Sequence, residues 1–118
     1  MSMGLGSFLW KKSMNNVALQ LNSRGYRTQL IDTGAPDANE KFKLRITSQG
    51  GFVDLYSRNR IWMFDKLDAH GKADPGRMNE VLENRRGFPF QPVPANAAPI
   101  EVADALLYGF VITPVSNT

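Results

Sequence analysis

The sequence contains no cysteine and only one histidine among its 118 residues. The lack of cysteine excludes disulfide bonds, thiolate metal sites and thiol catalysis. It also suits a reducing compartment, so we expect a cytoplasmic protein. No apolar run approaches the ~20 residues that a membrane-spanning helix needs, and we therefore expect no membrane association.

Signatures of catalysis are also scarce. There is no Gly-x-Ser-x-Gly elbow to present a nucleophilic serine, and Gly71-Lys72 lacks the flanking residues of a phosphate-binding loop. Asp54, Asp65 and His70 form the one combination that could hold a divalent metal for hydrolysis. His70, however, lies in a segment with the composition of a solvated loop. We expect no catalytic residue, no metal site and no cofactor, so a metal-dependent hydrolase is the least favoured of three functions.

The length and composition describe one globular domain covering residues 1–118. Apolar residues make up 42% and charged residues 21% of the chain. Folding at this length buries roughly 65% of the surface that the unfolded chain exposes, which supports one hydrophobic core and not two. Residues 88–99 contain four prolines and predict an extended connector within the domain, and residues 114–118 predict a frayed tail.

The charge is distributed unevenly along the chain. Residues 1–60 carry nine basic and four acidic side chains, a surplus of five, whereas residues 61–118 carry five basic and seven acidic ones. The net charge of +3 therefore conceals a basic first half. Such a half favours a polyanion or an acidic protein surface as its partner.

Three segments show the signals of helices. Residues 7–24 place Trp10, Met14, Val17 and Leu21 on one stripe, with Ser7 as the N-cap and Gly25 as the stop. A second helix is predicted from Pro75 to Arg86, and a third from Pro99 to about Gly109. The rest of the domain is predicted to be β-structure.

Alternation of apolar and polar residues predicts the strands. The clearest case is 41–47, where every second residue is basic or polar. Short connections, including a turn made of Arg58, Asn59 and Arg60, favour an antiparallel meander. The fold class is therefore α+β: a small antiparallel sheet of three to five strands packed by an N-terminal helix and two C-terminal helices. The predicted strands are 26–32, 41–47, 52–57, 61–67 and a short 110–113.

The side of the sheet that faces away from the core is the candidate site. If Leu44, Val53, Leu55, Ile61 and Met63 face the core, the alternation places basic and aromatic side chains together on the other side. Cations neutralise phosphates while rings stack on unpaired bases, and arginines on a turn project toward carboxylates or phosphates. The residues predicted on that side are Lys41, Lys43, Arg45, Phe52, Tyr56, Trp62 and Phe64, with Arg58 and Arg60 on the turn.

Two binding functions follow from this surface and rank nearly level. The first is a non-enzymatic module that contacts DNA or RNA, with Lys41, Lys43, Arg45, Arg58 and Arg60 on phosphates and Tyr56 or Trp62 stacking on bases. The second is a small accessory or inhibitor protein that docks on an acidic surface of a larger protein machine. The sequence favours no particular oligomeric state.

Overall fold

A computed structural model describes residues 2–37, 40–73, 80–84 and 91–110. These residues form an α+β fold with one N-terminal helix, one C-terminal helix and a five-stranded antiparallel sheet. The elements in chain order are α1 (Ser2–Asn22), β1 (Arg27–Asp32), β2 (Phe42–Ser48), β3 (Gly51–Arg58), β4 (Ile61–Leu67), β5 (Glu80–Val81), β6 (Glu83–Asn84), β7 (Gln91–Pro92) and α2 (Pro99–Phe110).

Helix α1 ends as predicted but begins earlier. Gly25 has a φ of 90°, and the Tyr26 amide donates to the Leu21 carbonyl while the Gly25 amide donates to the Asn22 carbonyl. This is the pattern of hydrogen bonds that a left-handed glycine makes at a helix end. Ser7 lies inside the helix, so the predicted N-cap is wrong. The glycines before Ser7 lower helix propensity, but propensity is a weak preference once a helix has formed.

The larger sheet is a meander in which all five strands follow chain order. The strand order is β1-β2-β3-β4-β5, and every neighbouring pair is antiparallel. The predicted alternation in β2 is confirmed, since Leu44 and Ile46 are buried and Lys43 and Arg45 are only partly exposed. Strands β6 and β7 form a separate two-stranded sheet.

The predicted second helix is wrong over the part that the structure describes. Val81 pairs with Met63 of β4, and the Leu82 amide donates to the Trp62 carbonyl with Leu82 fully buried. Pairing with the edge of β4 has prevailed over local helix propensity there. The rest of that predicted helix, 75–79 and 85–86, lies outside the described residues.

Helix α2 begins at Pro99, as predicted. The Ala98 carbonyl, just before it, accepts hydrogen bonds from the Glu101 and Val102 amides. The helix runs to Phe110, one residue beyond the predicted end at about Gly109. A helix interior accepts a glycine at a modest cost in free energy. The predicted strand at 110–113 begins inside this helix, and its remainder, with the predicted tail, lies outside the described residues. None of the helices in the described ranges is both long and apolar enough to cross a membrane.

The β3–β4 turn sets which residues of β4 face the core. Arg58 pairs with Ile61, which leaves only Asn59 and Arg60 in the loop instead of the predicted three residues. Because side chains alternate between faces, a shift of one residue moves every side chain of a strand to the other face. Ile61 and Met63 therefore lie on the face predicted for Trp62 and Phe64, and the predicted orientation of β4 is wrong.

The hydrophobic core lies between the two helices and one face of the sheet. Trp62 and Phe64 are fully buried in it, and the Trp62 ring meets Trp10 of α1 edge to face, with centroids 5.6 Å apart. An ion pair of 2.7 Å between Arg24 and Asp104 joins the end of α1 to α2. The other core residues include Met14, Val17, Leu21, Leu44, Ile46, Val53, Leu55, Leu82, Val93, Val102 and Leu106.

Candidate functional site

The face of the sheet opposite the helices, here called the outer face, carries a network of charged side chains. Directly paired residues of neighbouring antiparallel strands share a face. Arg45 pairs with Asp54, and Asp54 pairs with Asp65, whereas Leu55 and Phe64 pair on the core side. The outer face includes Lys43 and Arg45 from β2, Phe52, Asp54, Tyr56 and Arg58 from β3, and Met63 and Asp65 from β4.

Asp54 is the centre of this network. Its side chain is only 3% exposed, and three charged hydrogen bonds or ion pairs reach it. Arg45 donates from Nε to Oδ1 at 2.8 Å and from Nη2 to Oδ2 at 2.9 Å, which is the two-pronged geometry that arginine forms with a carboxylate. Lys43 Nζ lies 2.9 Å from Oδ2. One buried carboxylate thus holds two cations.

The pKa values of this cluster follow from those contacts. Burial alone would raise the pKa of Asp54, but the hydrogen bonds and charges of Arg45 and Lys43 outweigh it and bring that pKa below its usual range. The bond to Asp54 raises the pKa of Arg45, against the opposing effect of burial. Asp54 and Arg45 are therefore both ionised at neutral pH.

Tyr56 and Asp65 form the second part of the network. The Tyr56 hydroxyl donates to Asp65 Oδ1 at 3.1 Å, and the Arg58 guanidinium lies 5.5 Å from the centre of the Tyr56 ring. Burial, followed by the negative charge of Asp65 and the hydrogen bond to it, raises the pKa of Tyr56 far above its usual range. Tyr56 is therefore a neutral hydrogen-bond donor at physiological pH. It is only 9% exposed, which leaves little of its ring for stacking.

The β3–β4 turn projects from one end of the outer face. Arg58, Asn59 and Arg60 are all exposed. Asn59 and Arg60 have φ values of 55° and 63°, the left-handed conformation that a two-residue type I′ hairpin turn requires at both positions. Arg58 Nε also donates to Glu40 Oε1 at 3.1 Å, so the base of the turn is joined to the segment before β2.

The structure brings five of the seven predicted binding residues to this region and buries one of the seven, Trp62, in the core. Lys43, Arg45, Tyr56, Arg58 and Arg60 lie on the outer face or on its turn. Lys41 lies just before β2, with Nζ 3.6 Å from Asp32 Oδ2. Trp62 is 0% exposed in the core, so its predicted position on the outer face is wrong for the reason of register given above.

The carboxylates of this site were not among the binding residues predicted from the sequence. Asp54 stands between Phe52 and Tyr56 at alternating positions, and this spacing already places it on the face of Lys43 and Arg45. Cross-strand neighbours of opposite charge attract. The alternation that places the cations on one face therefore also places Asp54 beside them. Glu40 gave no such signal, because it lies in a loop.

The residues proposed for a metal site do not converge. Asp54 and Asp65 are direct cross-strand neighbours, but Asp54 is occupied by two cations. His70 is exposed in the loop after β4. Asp68 Oδ1 accepts hydrogen bonds from the Lys72 and His70 amides, and these bonds lower the pKa of Asp68. No three His, Cys, Asp or Glu side chains are grouped for a metal within the described ranges.

Comparison with protein-family models, with curated proteins and with solved structures finds no match to this chain.

Proposed function

We propose that this protein is a non-enzymatic binding module that docks on an acidic surface of a larger protein through its β3–β4 turn. The observation that carries the proposal is the left-handed conformation of Arg60. Glycine is the preferred residue at the second position of a type I′ turn, and a side chain there costs about 1 kcal/mol. Backbone strain of this kind clusters at functional sites, and it points to a role for the Arg60 side chain.

The backbone of the turn is held in place from one side. The Ala95 amide donates to the Arg60 carbonyl at 2.9 Å, the Trp62 amide donates to the Val93 carbonyl at 3.0 Å, and Ile61 forms a bridge with Pro94. A segment that is ordered before it binds loses less conformational entropy on binding. The turn thus presents its arginines on a fixed backbone.

The charge pattern supports a protein partner over a nucleic acid. Lys41, Lys43, Arg45 and Arg58 each lie within 3.6 Å of a carboxylate. A phosphate backbone tracks a groove of uncompensated cations, whereas this surface alternates positive and negative groups. Base stacking has also lost one of its two candidates, because Trp62 lies in the core. Protein interfaces, by contrast, commonly match mixed charges and rely on arginine.

The experiment is affinity capture from nuclease-treated lysate with three forms of the chain. The wild type is compared with Arg60→Gly, which removes the side chain but suits the turn, and with Lys12→Ala, which removes one exposed charge from α1. We expect a protein partner whose affinity for Arg60→Gly is lower by about fivefold or more, since interface arginines often contribute 1 kcal/mol or more. Lys12→Ala should bind within about twofold of the wild type.

Two results would contradict the proposal. One is a captured protein that binds wild type and Arg60→Gly equally well. The other is loss of all captured material on nuclease treatment, together with binding of mixed-sequence single-stranded DNA or RNA that weakens steeply with salt. The second result would assign the surface to nucleic acid.

A further inference from the structure

A pocket of about 240 Å³ opens on the outer face beside the β3–β4 hairpin. Its walls come from the loop after β1 and from three neighbouring strands. The residues that matter chemically are Thr33, Glu40, Lys43, Tyr56, Arg58 and Asp65. We propose that this pocket binds a small zwitterion of the α-amino-acid class, with its carboxylate toward Lys43 and Arg58 and its ammonium toward Glu40 and Asp65.

The charge balance of the pocket selects this ligand class. Two cations, Lys43 and Arg58, and two carboxylates, Glu40 and Asp65, line the same small space. A plain anion would face both carboxylates, and a plain cation would face both basic groups, so each would meet repulsion as well as attraction. A zwitterion offers one charge to each set and leaves the net charge of the pocket unchanged.

The contacts within the pocket are of two strengths, and the weaker one is the exposed ion pair of Arg58 and Glu40. The Arg58 and Glu40 side chains are 43% and 40% exposed, and exposed ion pairs contribute about 0–1 kcal/mol. Opening this pair therefore costs little, and the ligand offers an opposite charge to each of the two side chains. Lys43, in contrast, is anchored on the buried Asp54. An ammonium has three donors, so this bond does not exhaust the hydrogen-bonding capacity of Lys43.

Tyr56 orients the negative side of the pocket. Its hydroxyl donates to Asp65 Oδ1, which fixes the carboxylate beside the tyrosine ring. The Thr33 hydroxyl bridges the Glu40 and Lys41 carbonyls at 2.7 and 3.0 Å, and this holds the loop that carries Glu40 against the start of β2. Hydrogen bonds thus hold the Asp65 carboxylate and the backbone at Glu40 in place before a ligand arrives.

The size of the pocket limits the ligand. Pockets for drug-sized molecules span about 300–1,000 Å³, and this one is smaller. It suits an amino acid with a small side chain. The inference does not depend on the docking proposal, because none of its charged residues is Arg60.

The test is an NMR titration of the ¹⁵N-labelled full chain with glycine, and with acetate and methylammonium as the two halves of that ligand. We expect glycine to shift the amide signals of Thr33, Ala35 and Lys43 with a dissociation constant of about 1 mM, and each half to bind at least about tenfold more weakly. Glu40→Gln should weaken glycine binding by about fivefold or more, whereas Arg60→Gly should titrate like the wild type. The Glu40 side chain is 40% exposed, so we expect this variant to keep the fold.

The proposal is overturned if acetate binds as tightly as glycine, which would indicate a plain anion site. It is equally overturned if Glu40→Gln binds glycine like the wild type, or if glycine leaves these amide signals unchanged. A negative titration would not contradict docking through Arg60. A negative capture experiment would likewise not contradict binding of a zwitterion in the pocket.

Discussion

The two faces of strand β3 are both well buried but are stabilised by opposite chemistry. Leu55 is fully buried against the apolar core, and its neighbour Asp54 is 2% exposed on the outer face. The core face gains stability by removing apolar surface from water, which depends on volume and shape. The outer face depends on pairing, because a buried carboxylate is tolerated only when cations and hydrogen bonds compensate it.

This contrast explains why a basic sequence does not produce a basic surface at the sheet. Lys43, Arg45 and Arg58 are cations of the positive first half of the chain, but the fold places a carboxylate against each of them. The exposed Arg60, carried on the turn, extends beyond this neutralised network. Docking of a protein partner is therefore expected at the end of the outer face and not across its middle.

The largest expected effect on the free energy of unfolding comes from comparing the two faces of β4. Trp62→Ala removes a fully buried indole that packs on Trp10, and we expect a loss of about 3–5 kcal/mol in the free energy of unfolding. Ile61→Ala changes the adjacent, partly exposed residue on the outer face and should cost about 1 kcal/mol. Urea unfolding of both variants measures the difference. The reverse order would mean that β4 has the opposite register.

That register marks the limit of what the sequence predicts. Helix α1 and the alternation in β2 were predictable, because Met14, Val17 and Leu21 repeat at helical spacing and the basic residues of β2 repeat at every second position. The orientation of β4 was not, because it depends on whether two or three residues make the turn after β3. Asn-Arg is not the glycine-containing pair that usually indicates a two-residue turn.

The predicted helix after β4 was wrong for a different reason. Met78, Val81 and Leu82 have the spacing of one face of a helix, yet Val81 pairs with Met63. A short segment can form either structure, and the unpaired edge of β4 decides between them through contacts distant in sequence. Local patterns contain no information about such an edge, so this part of the fold could not be derived from the sequence alone.

The second prediction concerns the centre of the outer face. Asp54→Asn leaves Lys43 and Arg45 without their carboxylate, and we expect it to cost about 2–3 kcal/mol in the free energy of unfolding. The loss is less than for a fully buried pair because both cations reach solvent, with side chains 30% and 26% exposed. Asp32→Asn is the matched control, since Asp32 is 54% exposed and its contact with Lys41 is 3.6 Å long. It should change stability by less than about 0.5 kcal/mol.

Equal effects of these two substitutions would contradict the distinction between a buried and an exposed ion pair on this molecule. Chemical denaturation at neutral pH and moderate salt gives both values. A further check is salt: the wild-type contribution of Asp54 should persist at high ionic strength, since buried pairs are screened less than exposed ones.

The third prediction follows from the lowered pKa of Asp54. Its folded pKa lies below the usual value of 3.8, so its ionised form contributes stability above that pH and the contribution is lost as the pH falls through the folded pKa. Wild type should therefore lose more stability than Asp54→Asn when unfolding is followed from about pH 6 to about pH 2. Parallel curves for the two proteins would show that Asp54 is not held by its cations.

The smallest effect has the opposite sign and concerns the turn. Arg60→Gly places glycine where φ is 63°, which relieves a strain of about 1 kcal/mol, partly offset by the greater freedom of glycine in the unfolded chain. We expect thermal unfolding to shift upward by roughly 2–4 °C. Arg60→Ala is the control, because it removes the same side chain but keeps a Cβ in the left-handed region, and it should not raise the melting temperature. If both variants raise it, charge repulsion rather than backbone strain is the cost at Arg60, and the conformational argument for a binding role fails.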